Sequence, residues 1–79
     1  MMRENFSLDK LQKGEKAKIQ SISSMDLPAK FYEMGFIPGA SIEIKHTAPF
    51  NGPICVHLVA SNVLIAIRKA EALQIQVER

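Results

Sequence analysis

The sequence predicts a small, mainly β domain: an antiparallel barrel of about five short strands, with one short inserted helix and short helical turns. Three observations carry this. Apolar residues recur with a period of two over several short segments. Turn signals return every eight to twelve residues from Pro38 onward. The run Met34-Gly35-Phe36-Ile37-Pro38-Gly39 encodes a corner between a helical pattern and a strand pattern. Closing the sheet into a barrel would also hide the edges that apolar strands otherwise expose.

The 79 residues make one domain, with the barrel core expected over about 6–78. A chain of this length buries only about 60% of its unfolded surface, so its stability is expected to be modest. The apolar fraction of 47% rules out intrinsic disorder. Tryptophan is absent and the aromatics are few, so the core must be aliphatic.

Along the chain, Ser7 to Leu11 reads as one helical turn capped by Ser7, with Leu8 and Leu11 on one side. Residues 15–22 alternate, placing Ala17, Ile19 and Ser21 on one face and Lys16, Lys18 and Gln20 on the other. Ser24 or Asp26 can cap the helix that follows, and Pro28 suits its first turn. That helix is expected over about 27–34, with Leu27, Phe31 and Met34 as its buried stripe and Tyr32 flanking it. Gly35 then takes the left-handed position that ends a helix, which brings Phe36 against Phe31. Phe36 and Ile37 cross the core, and Pro38-Gly39 forms the centre of a type II turn.

Residues 41–48 alternate again, with Ile42 and Ile44 inward and Glu43, Lys45 and Thr47 outward. Residues 49–53 form a hairpin loop signalled by Asn51-Gly52 and bounded by two prolines. Ile54, Val56 and Leu58 then point inward. A turn over 60–62 follows, in which Asn62 can take the left-handed conformation. Residues 63–67 are apolar throughout, which predicts a central strand covered on both faces. A helical turn over 68–73 leads to a last strand with Ile75 and Val77 inward.

No catalytic constellation emerges. The four glycines are scattered and form no phosphate-cradling loop, and no nucleophile elbow or paired carboxylates are present. The chain reads as a non-enzyme without a cofactor. Cys55 and His57 alternate onto one face of a strand, but parity places His46 on the opposite face of its neighbour. The three converge on a metal ion only if a bulge shifts one strand. Cys55 is read as a small apolar filler and His57 as half-exposed; with His46 they are the one alternative ligand set. A net charge of +2, well mixed, and few exposed aromatics give a nucleic-acid reading little support.

A protein-binding surface remains. Phe50 lies at the hairpin tip, where it either plugs the barrel mouth or anchors a partner. Asn51 beside it, Lys45 on the outward face of the hairpin and Tyr32 on the helix complete the candidate contact residues. The lone cysteine suits a reducing compartment. No apolar run is long enough to span a bilayer, and the N-terminus lacks the apolar stretch of a secretion signal. The expected location is the cytoplasm, with any membrane role exercised through a partner.

Taken together, several residues carry a family resemblance. They are Leu8, Leu11 and Gly14; Ala17-Lys18-Ile19; Phe31 and Met34 to Gly39; Ile42 and Ile44; Ala48-Pro49; Val63 with Ala66-Ile67-Arg68; and Ala72, Ile75 and Val77. The chain resembles the FeoA family over nearly its whole length. The sharpest match is the helix end followed by Gly-x-x-Pro-Gly, although the family commonly has leucine at the positions of Met34 and Phe36. The resemblance implies an SH3-like barrel, related to the terminal domain of DtxR-type iron-dependent repressors. It also implies an accessory of bacterial ferrous-iron uptake that contacts the cytoplasmic GTP-binding domain of a FeoB-type membrane permease. Metal-ion binding is a further property the resemblance suggests. The alternatives are an SH3-like barrel that binds nucleic acid and a metal-sensing domain.

Overall fold

The two-residue alternation does set the strands, as a computed structural model describing residues 5–23 and 27–79 shows. The strands are β1 (Asn5–Ser7), β2 (Lys16–Ile22), β3 (Ser41–Thr47), β4 (Ile54–Leu58), β5 (Val63–Ile67) and β6 (Ile75–Glu78). A 3₁₀ turn, Leu8–Lys10, follows β1. The helix α1 (Ala29–Glu33) joins β2 to β3, and α2 (Lys69–Ala72) joins β5 to β6.

All six strands form one antiparallel sheet in the order β1-β6-β2-β3-β4-β5. The predicted class holds: mainly β, SH3-like, with few short helices. Two details of the expectation change. The described residues form six strands instead of five, because β1 is a three-residue segment whose pairing with β6 defines it and whose length shows no alternation. The sheet curls without closing, since β1 and β5 have one strand partner each among the described residues.

That topology corrects the reading of 63–67. β5 is an edge strand and not a central one. Ile65 and Ile67 are buried, whereas Leu64 is 60% exposed. An unbroken apolar run looks the same in a covered central strand and in an edge strand with an apolar outer face.

Bulges explain two further differences. Between β2 and β6 the register shifts between Ile19 and Ser21. This turns Ser21 out to solvent and brings Ile22 partly against the core, so Ser21 does not share the buried face of Ala17 and Ile19. Between β3 and β4 the register shifts between Ile44 and His46, leaving Lys45 as the extra residue.

The core is aliphatic, as composition requires: Leu8, Ile19, Ile42, Ile44, Val56, Ile67, Ile75 and Val77 are all essentially inaccessible. Phe31 and Phe36 add the aromatic part. The helix is shorter than expected, with Pro28 at its N-cap and Met34 at its C-cap. The proposed caps Ser24 and Asp26 lie outside the described residues. Ser7 precedes the 3₁₀ turn as expected, but its hydroxyl donates to the Asp9 carboxylate and makes no backbone cap. Ile37 does not cross the core with Phe36; it is about half exposed. The Pro38-Gly39 turn is closed by Ala40 N–H donating to the Ile37 carbonyl at 3.0 Å, with Gly39 at φ +95°.

Candidate functional site

Among the described residues, the β3–β4 hairpin carries the most exposed large apolar side chain, Phe50. Thr47 pairs with Ile54, and Ala48 N–H donates to the Pro53 carbonyl at 3.1 Å, so the loop closes on itself. At its tip, Gly52 N–H donates to the Pro49 carbonyl at 3.1 Å. The two residues between, Phe50 and Asn51, have φ +56° and +61°. Two successive left-handed residues make a type I′ turn, the form whose twist matches an antiparallel hairpin.

The Asn-Gly signal therefore marks the right loop one residue out of frame. Phe50 and Asn51 occupy the left-handed positions, and Gly52 follows them. Glycine is required at 52 for space: a Cβ there would lie 2.7 Å from the Ala48 Cβ. Phe50 is 98% exposed, which removes the plug reading. A bulky residue held at positive φ and almost entirely in water is disfavoured both torsionally and by hydration.

The tip is held from behind. Lys69 Nζ, at the start of α2, donates to Asn51 Oδ1 at 2.8 Å. Lys45 lies lower on the hairpin with its ammonium 3.5 Å from the Glu43 carboxylate. Tyr32, 41% exposed, belongs to α1. No hydrogen bond or ring contact joins it to the hairpin among the described residues.

The bulge at Lys45 has the effect parity required for the alternative metal set. His46 lies opposite Cys55, and His57 lies opposite Glu43, so all three face outward. Even so, no three histidine, cysteine, aspartate or glutamate side chains come together around one point among the described residues. His57 has a structural partner instead. Its Nε2 lies 2.8 Å from Asn62 Oδ1, and Asn62 holds the left-handed position expected of it, at φ +54°. An amide oxygen only accepts, so Nε2 is the donor in this contact, and Nδ1 is buried with no hydrogen-bond partner among the described residues.

The FeoA domain model matches residues 6–79. The chain belongs to the FeoA family. That family is associated with ferrous-iron transport. Among solved structures, an iron uptake regulatory protein, FeoA, is 27% identical, with 96% of this chain and 99% of that one covered at a TM-score of 0.78. The FeoA of Stenotrophomonas maltophilia, solved with zinc and described as an SH3 domain protein, is 21% identical over 91% of this chain and 88% of that one (TM-score 0.71). A manganese-dependent transcriptional repressor is 18% identical and has a TM-score of 0.79, with 98% of this chain and 42% of that one covered. The last two likenesses show the fold alone. No curated protein matches the sequence.

In this FeoA chain, two features lay beyond sequence reasoning. Lys69 tethers the hairpin from 18 positions away, which only the tertiary fold can bring about. An open groove on the outer face, lined among others by Lys16, Lys18, Glu43, His57 and Glu78, is assembled from strands distant in sequence. The outward alternation of β2 and β3 was its only sequence trace. Among the described residues, no helix is long and apolar enough to cross a membrane.

Proposed function

We propose that this FeoA chain is a non-enzymatic, cytoplasmic accessory of ferrous-iron uptake that acts by docking on the cytoplasmic GTP-binding domain of a FeoB-type permease. The hairpin tip carries the contact, with Phe50 as the anchor, Asn51 and Lys45 as its polar surround and Tyr32 as an outlying contact. The observation behind this reading is Phe50 itself: an aromatic ring 98% exposed, on a backbone at φ +56°. The positive φ serves the type I′ turn, but the solvated ring packs on nothing in the fold, and exposed aromatic anchors are typical of binding hot spots. The S. maltophilia FeoA is proposed as an activating factor of bacterial ferrous iron transport, a role this reading extends to the present chain.

The test is a binding titration against the isolated GTP-binding domain of the permease. Phe50→Ala is expected to weaken binding by about 2 kcal/mol or more, roughly thirtyfold. Lys45→Glu should act mainly through the on-rate and its salt dependence. Unchanged binding in both variants moves the contact off the hairpin. Binding that persists in all four variants, Asn51→Ala and Tyr32→Ala included, removes the proposed surface altogether.

A further inference from the structure

The outer edge of β5 has no strand partner among the described residues, and residues of α1 line a cleft beside it. Among the described residues β5 pairs with β4 alone, so alternate residues turn both their N–H and C=O groups to a side with no strand partner. None of its five residues is charged or proline, the usual devices by which an edge is blunted. Between this edge and α1 runs a cleft of about 280 Å³. Its floor is apolar: Phe31 and Ile65 are buried, and Met34 packs partly on the core. Leu64, 60% exposed, forms part of the strand wall.

The charges around the cleft are unequal. Lys30 and Arg68 line it, and neither has an ion-pair partner among the described residues. The one acid among the lining residues, Glu71, has its Oε1 turned to the Arg68 backbone N–H at 3.0 Å, so the rim carries two cations to one anion. A second copy brought edge to edge would add its own excess of positive charge to the seam. A chain carrying carboxylates would neutralise them instead.

We propose that the β5 edge takes up an extended acidic-apolar peptide segment as an additional strand. Backbone hydrogen bonds to β5 hold it, alternate apolar side chains settle on the Phe31–Met34–Ile65 floor, and the intervening carboxylates pair with Lys30 and Arg68. This surface is built from α1, β5 and the start of α2 and shares no lining residue with the Phe50, Asn51, Lys45 and Tyr32 contact, so either contact stands or falls without the other.

The test uses the full chain, labelled with nitrogen-15, and two capped eight-residue peptides alternating valine with glutamate or valine with lysine. The glutamate peptide is expected to shift the amide signals of β5 and α1, to slow hydrogen exchange at alternate β5 amides, and to leave the signals of 49–52 unmoved. It should bind about tenfold more tightly than the lysine peptide, the difference expected for two exposed ion pairs. Lys30→Glu combined with Arg68→Gln, both at the surface, should erase or invert that preference in a chain whose spectrum shows it folded. Equal affinity for the two peptides, shifts that miss β5, no shifts at millimolar peptide, or sedimentation showing β5 occupied by a second copy would each overturn the proposal.

Discussion

The ring of Phe36 meets the ring of Phe31 edge-on, with centroids 6.1 Å apart and planes at 61°, across the glycine that ends α1. Phe36 N–H donates to the Phe31 carbonyl at 2.9 Å, and Gly35 N–H donates to the Tyr32 carbonyl at 3.0 Å. With Gly35 at φ +101°, this is a Schellman ending complete with its apolar contact. A helix of five residues has no stability of its own in water, so its termination and packing must hold it in place.

Replacing Gly35 tests that arrangement. A Cβ at 35 would meet nothing within 4 Å, so the cost is torsional and not steric. Gly35→Ala is expected to lose about 1–2 kcal/mol in equilibrium urea unfolding. Gly35→Asn should lose less, because asparagine tolerates the left-handed region, and Gly35→Val should lose most. Similar losses for alanine and asparagine would contradict the torsional account.

Gly52 makes the opposite case. Its Cβ would press on Ala48 at 2.7 Å, while its φ is not left-handed. Gly52→Ala should cost about 1–3 kcal/mol by overpacking. Adding Ala48→Gly should recover part of that loss, so a double-mutant cycle should show coupling between the two sites. Strict additivity would show that the steric clash is not the cause.

At the tip, stability and binding should move in opposite directions. Phe50→Asn relieves a bulky residue of a positive φ and should raise the urea midpoint, by up to about 1 kcal/mol in stability. The same substitution should weaken docking on the GTP-binding domain as Phe50→Ala does. A loss of stability at this fully solvated site would mean that the ring packs on the domain after all.

Adjacent residues of β5 should behave quite differently. Ile65 is 3% exposed, and Ile65→Ala should cost about 2–5 kcal/mol. Leu64 is on the opposite face, and Leu64→Thr should stay within about 0.5 kcal/mol of the parent in thermal or urea unfolding. Equal damage at both positions would restore a strand covered on both sides.

Those contrasts mark what the sequence could disclose. The α1 ending, the Pro38-Gly39 turn, the inward faces of β3, β4 and β6 and the left-handed Asn62 were legible, because each depends on a few neighbouring residues whose torsions or alternation are decisive. Sheet order was not. Val63 to Ile67 reads identically at a rim or in the middle, and only its pairing with β4 alone distinguishes the two. Bulges are equally silent: nothing local to Gln20 or Lys45 announces an extra residue, yet each resets which side chains share a face. For the site, the exposed tip could be anticipated from Pro49-Phe50-Asn51-Gly52. Its frame and its link to Lys69 depend on the folded loop and on a segment far along the chain.

The bond from Lys69 to Asn51 bears on how the tip meets another molecule. Anchored to α2, the turn gives up its conformational freedom when the domain folds and not when it docks, so less entropy is lost at the encounter. Phe50 is thus presented as a firm prong. Cutting the tether with Lys69→Met should leave the ring available but wandering, and a partner would then hold it for a shorter time.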